Sequence, residues 1–131
     1  MSTNDPLRVV LDFFRSFEGN DVEEAVKFVA DDLEYVNVPF GFEAGTVIGP
    51  DGMRAVLVPA FAGVLRTEFV VRTAAVSGDT VFVERLDRHQ LPNGWAELPV
   101  NGVFTVRDGK ITQWRDYFDM NVFATQMAAS A

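Results

Sequence analysis

The hydrophobic pattern changes its period at Thr67, and this change constrains the fold more than any other feature. Before Thr67 the sequence predicts mostly helices, with apolar residues three or four apart. From Thr67 onward apolar and polar residues alternate, and short turn sequences separate the alternating runs. Helices followed by a run of antiparallel strands are typical of an α+β domain, here a curved sheet with helices packed on one face.

Capping residues predict where the helices begin. Asp5 followed by Pro6 is a helix start, and Asp21 with Glu24 three residues later reads as a capping box. Asp51 is expected to cap a third helix, and Asp119 a C-terminal one. The elements predicted before Thr67 are a helix from Pro6 that stops at Gly19, a helix from Val22 to about Ala30, a strand over Leu33–Val38, a glycine-rich stretch over Gly41–Gly49 and a helix that ends near Pro59.

Turn sequences divide the second half of the chain into four strands. Ser77-Gly78-Asp79, Pro92-Asn93-Gly94 and Asp108-Gly109 are the turn signals. Pro99 and Gly102 predict a bend or bulge within the third of these strands. The four predicted strands are Thr67–Val76, Val81–Gln90, Trp95–Val106 and Ile111–Phe118.

Length and composition exclude several classes of protein. The 131 residues fit one domain, predicted over residues 1–131, and the absence of cysteine excludes disulfides and thiolate chemistry. A single histidine excludes a multi-histidine metal site, so no metal is expected. The net charge of −8 predicts that neither nucleic acid nor an anionic membrane surface is a partner. With no membrane-spanning run and no secretion signal at the first residues, a cytoplasmic protein is expected.

Charged residues inside apolar strands are the candidate functional residues. On an alternating strand, Val81, Val83, Arg85 and Asp87 share one face. Asp116 shares a face with two large aromatic residues, where a carboxylate is costly unless a neighbour compensates its charge. Arg85, Asp87 and Asp116 could each equally be exposed, because most aspartates are exposed and surface ion pairs between strands contribute little.

Tyr35, Asn37 and His89 are weaker candidates when taken singly. Tyr35 and Asn37 share a face with Leu33 and could point two hydrogen-bonding groups into one pocket, although a tyrosine on a strand is more often a packing residue. His89 lies near a strand end on the face of Arg85 and Asp87. It is the obvious base by residue type, but without an identifiable partner it is interpreted as a bystander.

Together these segments resemble the limonene-1,2-epoxide hydrolases, a branch of the nuclear-transport-factor-2-like (SnoaL-like) superfamily. The matching stretches are Tyr35-Val36-Asn37, Glu84-Arg85-Leu86-Asp87, Gly102-Val103-Phe104 and Gly109 to Asp119, which contains Trp114-Arg115-Asp116-Tyr117-Phe118-Asp119. The resemblance implies a cone-shaped, curved, mostly antiparallel mixed sheet with helices on its concave side. It also implies a homodimer and a cofactor-independent enzyme that adds water to an epoxide in one step.

The resemblance also implies a role for each site residue. Asp87 matches the proton donor to the epoxide oxygen, Asp116 the base that deprotonates water, and Arg85 the residue that bridges them. Tyr35 and Asn37 match the residues that hold the water. Aromatic and aliphatic walls predict an apolar terpenoid, cyclic or lipid-like substrate. The candidate substrate-binding residues are Phe61, Val83, Trp114, Phe118 and Phe123.

Two other functions stay open at this point. A ketosteroid-isomerase-like or polyketide-cyclase-like enzyme also uses carboxylates and tyrosine in a conical pocket, but it has no obvious need for an arginine between two aspartates. A non-catalytic binding protein is the second, because a fold does not determine a function. That reading predicts that one of Arg85, Asp87 and Asp116 would be missing, and all three are present.

Overall fold

The computed structural model describes residues 5–130, which form four α-helices, a short 3-10 helix and six strands. Residues 1–4 and 131 of the predicted domain lie outside the described residues. The prediction of no secretion signal rests mostly on residues 1–4, so it too lies outside them. The helices are α1 (Pro6–Ser16), α2 (Val22–Val26), α3 (Gly49–Phe61) and α4 (Met120–Ser130), and the 3-10 helix is Val38–Phe40; the strands are β1 (Val29–Asn37), β2 (Val47–Ile48), β3 (Arg66–Ser77), β4 (Thr80–Leu91), β5 (Gly94–Arg107) and β6 (Lys110–Tyr117).

The strands form one mixed sheet in the order β2-β1-β6-β5-β4-β3. Strands β3 to β6 pair antiparallel as consecutive neighbours, whereas β1 pairs parallel to β6. The parallel pairing places Tyr35 beside Trp114 and Asn37 beside Asp116. The expected α+β architecture with a mostly antiparallel mixed sheet is thus confirmed, and β1 brings its polar residues next to the end of β6.

The core lies between the inner face of the sheet and the helices. Helix α1 packs across β3, β4, β5 and β6, while α3 packs on β1 and α4 on β5. Phe13 is fully buried and lies edge-on to Trp114, with ring centroids 5.0 Å apart. The aromatic first helix is therefore core, and its burial against β6 is a large hydrophobic contribution to stability.

The ends of the first two helices differ from the sequence expectations in three places. The first helix ends at Ser16 rather than Gly19, and α2 ends at Val26, so that β1 begins already at Val29. The expected capping box does not form, because Asp21 caps the backbone N–H of Glu23 (3.0 Å) while the Glu24 carboxylate binds Lys27. Caps at Asp5 and Asp119 are confirmed by their bonds to backbone N–H groups.

The third helix begins before its expected cap. Ile48 occupies the cap position, and Asp51 lies in the first turn, where its carboxylate accepts a hydrogen bond from Arg54 Nη1 at 2.8 Å. Gly49 adopts a φ of 72°, and a Cβ there would lie 2.7 Å from the carbonyl oxygen of Asp31. The first residue of α3 is therefore a glycine because the chain passes close to β1 there, and the helix begins two residues before Asp51.

The expected irregularity at Pro99 and Gly102 is wrong, because β5 pairs with β4 in unbroken register from Gly94 to Thr105. Irregularities occur instead between Val71 and Thr73 in β3 and opposite Thr105 and Val106 in β6, where Thr112 is the extra residue. Pro99 is tolerated because the β5 residues before Asn101 pair only with β4, so this part of β5 lies at an edge of the sheet.

The turns agree with the sequence. Asp108 and Gly109 have φ values of 52° and 77°, as a two-residue hairpin of type I′ requires, and they join β5 to β6. The last strand stops at Tyr117, so Phe118 lies just beyond the strand to which the sequence assigned it. No helix among residues 5–130 is long and apolar enough to cross a membrane.

Candidate active site

Arg85 holds two aspartates that are far apart in sequence. Its Nε and Nη2 donate to the two carboxylate oxygens of Asp87 at 2.6 and 3.0 Å. Its Nη1 and Nη2 donate to the two oxygens of Asp116 at 3.0 and 2.7 Å. Both carboxylates are thus bound in bidentate fashion by one planar guanidinium, a geometry that lysine cannot reproduce.

The three charged residues are buried, with Arg85 2% exposed, Asp87 6% and Asp116 5%. The alternation of β4 explains this for Arg85 and Asp87, because Val81 and Val83 on the same face are core residues. The Arg85 guanidinium carbon lies 5.1 Å from the ring centres of both Phe14 and Phe69. Two aromatic rings thus face a cation that would otherwise lose its hydration without compensation.

Gly102 makes the contact between Arg85 and Asp116 possible. Strand β5 lies between β4 and β6, and Gly102 is paired with Val83 on one side and with Asp116 on the other. A Cβ at this position would lie 2.6 Å from Arg85 Nη1 and 2.9 Å from Asp116 Oδ1. The guanidinium therefore crosses over β5 in the space that the missing side chain leaves.

Aromatic residues orient Asp116 from the opposite side. Trp114 Nε1 donates to Asp116 Oδ1 at 2.9 Å, so this oxygen accepts from both an indole and a guanidinium. Tyr35 stacks on Trp114 with ring centroids 3.9 Å apart and an interplanar angle of 13°. The carboxylate that the sequence placed between two aromatics is thus compensated by hydrogen bonds rather than by exposure to solvent.

Tyr35 and Asn37 point toward the same place from β1. Asn37 Nδ2 donates to the hydroxyl oxygen of Tyr35 at 3.1 Å. Because this hydroxyl accepts from Asn37, its own proton is available to a further acceptor. Both residues line the cavity that also contains Asp116. Burial and the nearby Asp116 charge raise the pKa of Tyr35, so its hydroxyl stays protonated at neutral pH.

Burial and neighbouring charges shift the pKa values of Asp87 and Arg85. Burial raises the pKa of Asp87 to about 6, against the lowering effect of Arg85, and the nearby Asp116 charge adds to the increase. Burial lowers the pKa of Arg85, but the charges of Asp116 and Asp87 outweigh it, and the net shift is upward. Near pH 6 one carboxyl of the pair can therefore carry a proton while the arginine stays charged.

A cavity of about 350 Å³ opens above these groups. Of the predicted substrate-binding residues, Phe61, Trp114, Phe118 and Phe123 line it. Val83 does not, because its side chain is only 1% exposed and packs in the core beneath Arg85. A strand face thus continues from the core into the cavity, and the position along β4 decides which residues reach the cavity.

His89 lies in the cavity wall and has a partner that the sequence does not identify. Its Nδ1 lies 3.2 Å from the hydroxyl of Thr67, which is fully buried on β3. Burial and the charge of Arg85 lower the pKa of His89 to about 4. The ring is therefore neutral at neutral pH.

Several cavity residues were not identified from the sequence. Phe69 could have been found from strand pairing, because it lies opposite Asp87. Gln126 and Met127 could have been found from helical spacing, since they follow Phe123 by three and four residues. The other lining residues missed are Phe17, Phe40, Val56, Leu57, Ala60, Val64, Ala96, Glu97, Leu98 and Val100.

Comparison with known proteins identifies the family. The model of the limonene-1,2-epoxide hydrolase catalytic domain matches residues 4–128. Epoxide hydrolase EphG of Mycobacterium tuberculosis is 33% identical over 109 residues, which are 82% of this chain and 69% of that protein.

Solved structures agree with the fold and the family. An epoxide hydrolase from M. tuberculosis, similar to the limonene-1,2-epoxide hydrolases, superimposes with a TM-score of 0.77 and 30% identity, over 95% of this chain and 90% of the other. A putative SnoaL-like polyketide cyclase from Shewanella denitrificans superimposes with a TM-score of 0.81 over 95% and 97% of the two chains, but at 15% identity it shares only the fold. The chain therefore belongs to the limonene-1,2-epoxide hydrolase family and is an epoxide hydrolase.

Proposed function

We propose that this enzyme opens an epoxide in one step by general acid and base catalysis, with Asp87 as the acid and Asp116 as the base. One observation carries the proposal, namely that a single buried guanidinium binds both carboxylates. Two carboxyl groups that share one cation in an apolar cavity favour the state with one proton between them, because the second ionisation is opposed by the first and by burial.

Asp87 is the better candidate for the acid. Its raised pKa of about 6 keeps a useful fraction protonated at a pH where an exposed aspartate is fully ionised. A proton donor with a pKa close to the working pH combines the required protonation state with a useful driving force for transfer.

Asp116 is suited to the base because of its neighbours on β1. Parallel pairing sets Asn37 beside Asp116, and Tyr35 is hydrogen-bonded to Asn37. A water bound by Tyr35, Asn37 and Asp116 would lie on one side of the epoxide, with Asp87 on the other. Holding the water in this way adds an entropic contribution to the rate.

In the proposed step the water oxygen forms a bond to one epoxide carbon, and the bond from that carbon to the epoxide oxygen breaks. Asp87 gives its proton to the leaving oxygen, while Asp116 takes a proton from the attacking water. The product is a vicinal diol, and transfer of a proton from Asp116 back to Asp87 restores the starting state. General acid and base contributions of this kind are each about 10²–10⁴-fold.

The cavity supports an apolar substrate, such as a terpenoid, cyclic or lipid-like epoxide. Most of its lining is aromatic or aliphatic, and Phe61, Phe118 and Phe123 supply ring surfaces at its wall. A small, mostly apolar cavity of this kind selects by shape, with few polar contacts. A proton transfer beside a carbonyl, as in isomerases or cyclases of this fold, would not need Arg85 to bind both carboxylates.

Single-turnover hydrolysis in ¹⁸O-labelled water, on a panel of cyclic and terpenoid epoxides, tests the proposal. The label is expected in the diol after one turnover and in neither aspartate. Label in the carboxylate of Asp87 or Asp116 would mean an ester intermediate and would overturn the one-step mechanism. Activity is expected to survive exhaustive chelation, since the mechanism uses no metal or other cofactor.

We also propose that the protein is a homodimer formed through the outer face of the sheet. On this face Val70, Phe82 and Tyr117 are 42%, 46% and 40% exposed, and half-buried Leu86 and Val103 lie among them. Apolar side chains of this size on adjacent strands are typical of a surface that a second subunit covers. Light scattering at micromolar concentration that gives the mass of one chain would contradict the dimer.

A further inference from the structure

Three polar residues without an assigned role line the cavity, namely His89, Glu97 and Gln126. Two of them, His89 and Gln126, present unused hydrogen-bond donors. The Glu97 carboxylate is bound by Arg88 Nε at 2.7 Å, so it is already engaged. His89 and Gln126 lie among the aromatic and aliphatic residues that form most of the wall.

The Thr67 hydroxyl determines which nitrogen of His89 carries the proton. Thr67 is fully buried, and Nδ1 of His89 lies 3.2 Å from its oxygen. If Nδ1 carried the proton, the hydroxyl proton of Thr67 would be buried without an acceptor, at a cost of roughly 1–3 kcal/mol. The favoured arrangement has Thr67 donating to Nδ1, which leaves an N–H at Nε2 for the cavity.

Gln126 is oriented by the backbone of β5. The N–H of Glu97 donates to Gln126 Oε1 at 3.0 Å. Because an N–H requires an acceptor, the oxygen of the Gln126 amide must face Glu97, and the NH₂ group is left with two donors. The NH₂ group of Gln126, a residue that lines the cavity, therefore also has hydrogen-bond donors for a bound ligand.

Both groups lie near the same end of the β4–β5 hairpin. His89 is paired with Ala96, and Gln126 is bonded to the adjacent Glu97. His89 follows Asp87 by two residues on the same strand face, so its backbone lies about 7 Å farther along β4. The donors therefore lie about the width of a substituted six-membered ring away from Asp87, the proposed proton donor.

We propose that His89 and Gln126 form a second subsite, which binds a neutral oxygen acceptor carried by the substrate on the side away from its epoxide. This inference rests on the proposed function and makes its substrate class more specific. The substrate is an otherwise apolar epoxide with a carbonyl, ether or hydroxyl oxygen at its far end. Without such an oxygen the donors would be desolvated by the substrate and left unpaired, at a cost that lowers affinity.

A carboxylate is a poor fit for the same subsite. His89 is neutral at neutral pH, because its pKa lies near 4. Arg85, which lines the cavity, is already bound by two carboxylates, and Arg88 lies on the opposite face of the sheet. An anionic group here would therefore meet neutral donors and neighbouring acidic residues, without a cation to pair with.

A pair of epoxides that differ in one atom tests the subsite. The first is 4-acetyl-1,2-epoxycyclohexane, and the second is 4-isopropenyl-1,2-epoxycyclohexane, in which the C=O becomes C=CH₂ at nearly the same shape. For the unmodified enzyme the ratio of kcat/KM, ketone over alkene, is expected to be on the order of 10, as one or two net hydrogen bonds would produce.

Two variants and a control locate the origin of this preference. Thr67→Val with His89→Phe removes both partners of the buried hydrogen bond and keeps an aromatic ring, and the ratio is expected to fall toward 1. Gln126→Glu keeps an oxygen for the Glu97 N–H but replaces the donors by an acceptor, so the ratio should fall as well. Gln90→Glu, beside His89 on β4 but outside the cavity lining, should leave the ratio unchanged.

The possible outcomes separate the two proposals. Diol from both compounds with a wild-type ratio near 1, or with a ratio that neither variant moves, would overturn the subsite and leave the proposed function standing. No diol from either compound, while other epoxides of the panel are hydrolysed, would overturn the subsite alone. No diol from any epoxide of the panel would overturn the proposed function and the subsite with it. Melting curves show whether each variant is folded, and Gln126→Glu alone decides the question if the double variant is not.

Discussion

Strand β4 carries two arginines in nearly the same chemical surroundings but on opposite faces of the sheet. Arg85 binds Asp87 and Asp116 and lies over Phe14 and Phe69. Arg88 binds Glu68 and Glu97, and its guanidinium lies 4.2 Å from the ring centre of Trp95. Each is therefore a cation between two carboxylates and against an aromatic ring.

The two clusters differ in burial. The side chain of Arg85 is 1% exposed and that of Arg88 is 29% exposed, while Glu97 is 46% exposed. In the outer cluster water solvates the charges, so the ion pairs contribute little to stability. In the inner cluster burial raises the pKa of Asp87 to about 6. Burial, rather than the set of residues, therefore makes the inner cluster suitable for acid–base chemistry.

Removing the carboxylates of the inner cluster should have the largest effect. Asp87→Asn and Asp116→Asn are each expected to lower kcat for diol formation by about 10³-fold or more, since an amide can neither protonate the epoxide nor accept a proton from water. The double variant should be barely worse than either single one, because both groups act in one step. Steady-state kinetics with folding checked by circular dichroism would measure this. Glu68→Gln in the outer cluster is the matched control, and a loss comparable to that of Asp87→Asn would contradict the distinction.

Replacing each arginine by lysine should have the second-largest effect on kcat and should distinguish the two clusters. Arg85→Lys is expected to lower kcat by roughly 10²-fold, because a point charge cannot hold two carboxylates in position and small displacements of catalytic groups are costly. Arg88→Lys should change kcat less than about twofold, as for an exposed ion pair. Equal losses for the two variants, measured on one substrate, would show that burial does not distinguish them.

Gly102 offers a test that adds a methyl group and removes no functional group. Gly102→Ala places a Cβ within 3 Å of both Arg85 and Asp116, and a loss of about 10–10²-fold in kcat is expected as the guanidinium moves away. In an Arg85→Lys background the same substitution should cost much less, since the geometry is already lost. Gly19→Ala, where a Cβ has open space, is the control. Additive losses in the two backgrounds would mean that Gly102 does not act through Arg85.

For each unit of pH, the pH dependence should show the smallest effect on activity, and it is the most specific one. Because the protonated form of Asp87 is the proposed donor, kcat/KM is expected to fall as pH rises through about 6, tenfold for each further unit. If Asp87 had the pKa of an exposed aspartate, this decline would occur near pH 4. Arg88→Lys should leave the profile unmoved. A profile that is flat from pH 5 to 8 would argue against Asp87 as the acid.

The sequence predicted much of the inner cluster before any distance was known. Alternation along β4 placed Arg85 and Asp87 on one face with Val81 and Val83, and all four are buried. The turn sequences predicted the four hairpin-connected strands, because glycine, asparagine and aspartate are needed where the backbone reverses. The sequence does not identify the partner of His89, because Thr67 lies 22 residues away and only strand pairing brings it close.

Local chemistry therefore determined the periodicity of the strands, the face to which each side chain points and the caps at Asp5 and Asp119, since these depend on neighbours within a few residues. Tertiary structure decided which charges meet, and among the sequence observations only the family resemblance implied that Arg85 bridges both aspartates. Arg85 reaches Asp116, 31 residues away, over a glycine on the strand between them. The start of α3 at Gly49 was decided in the same way, by the carbonyl oxygen of Asp31 on β1. In each case the deciding contact comes from a strand distant in sequence, and alternation or capping propensity contains no information about it.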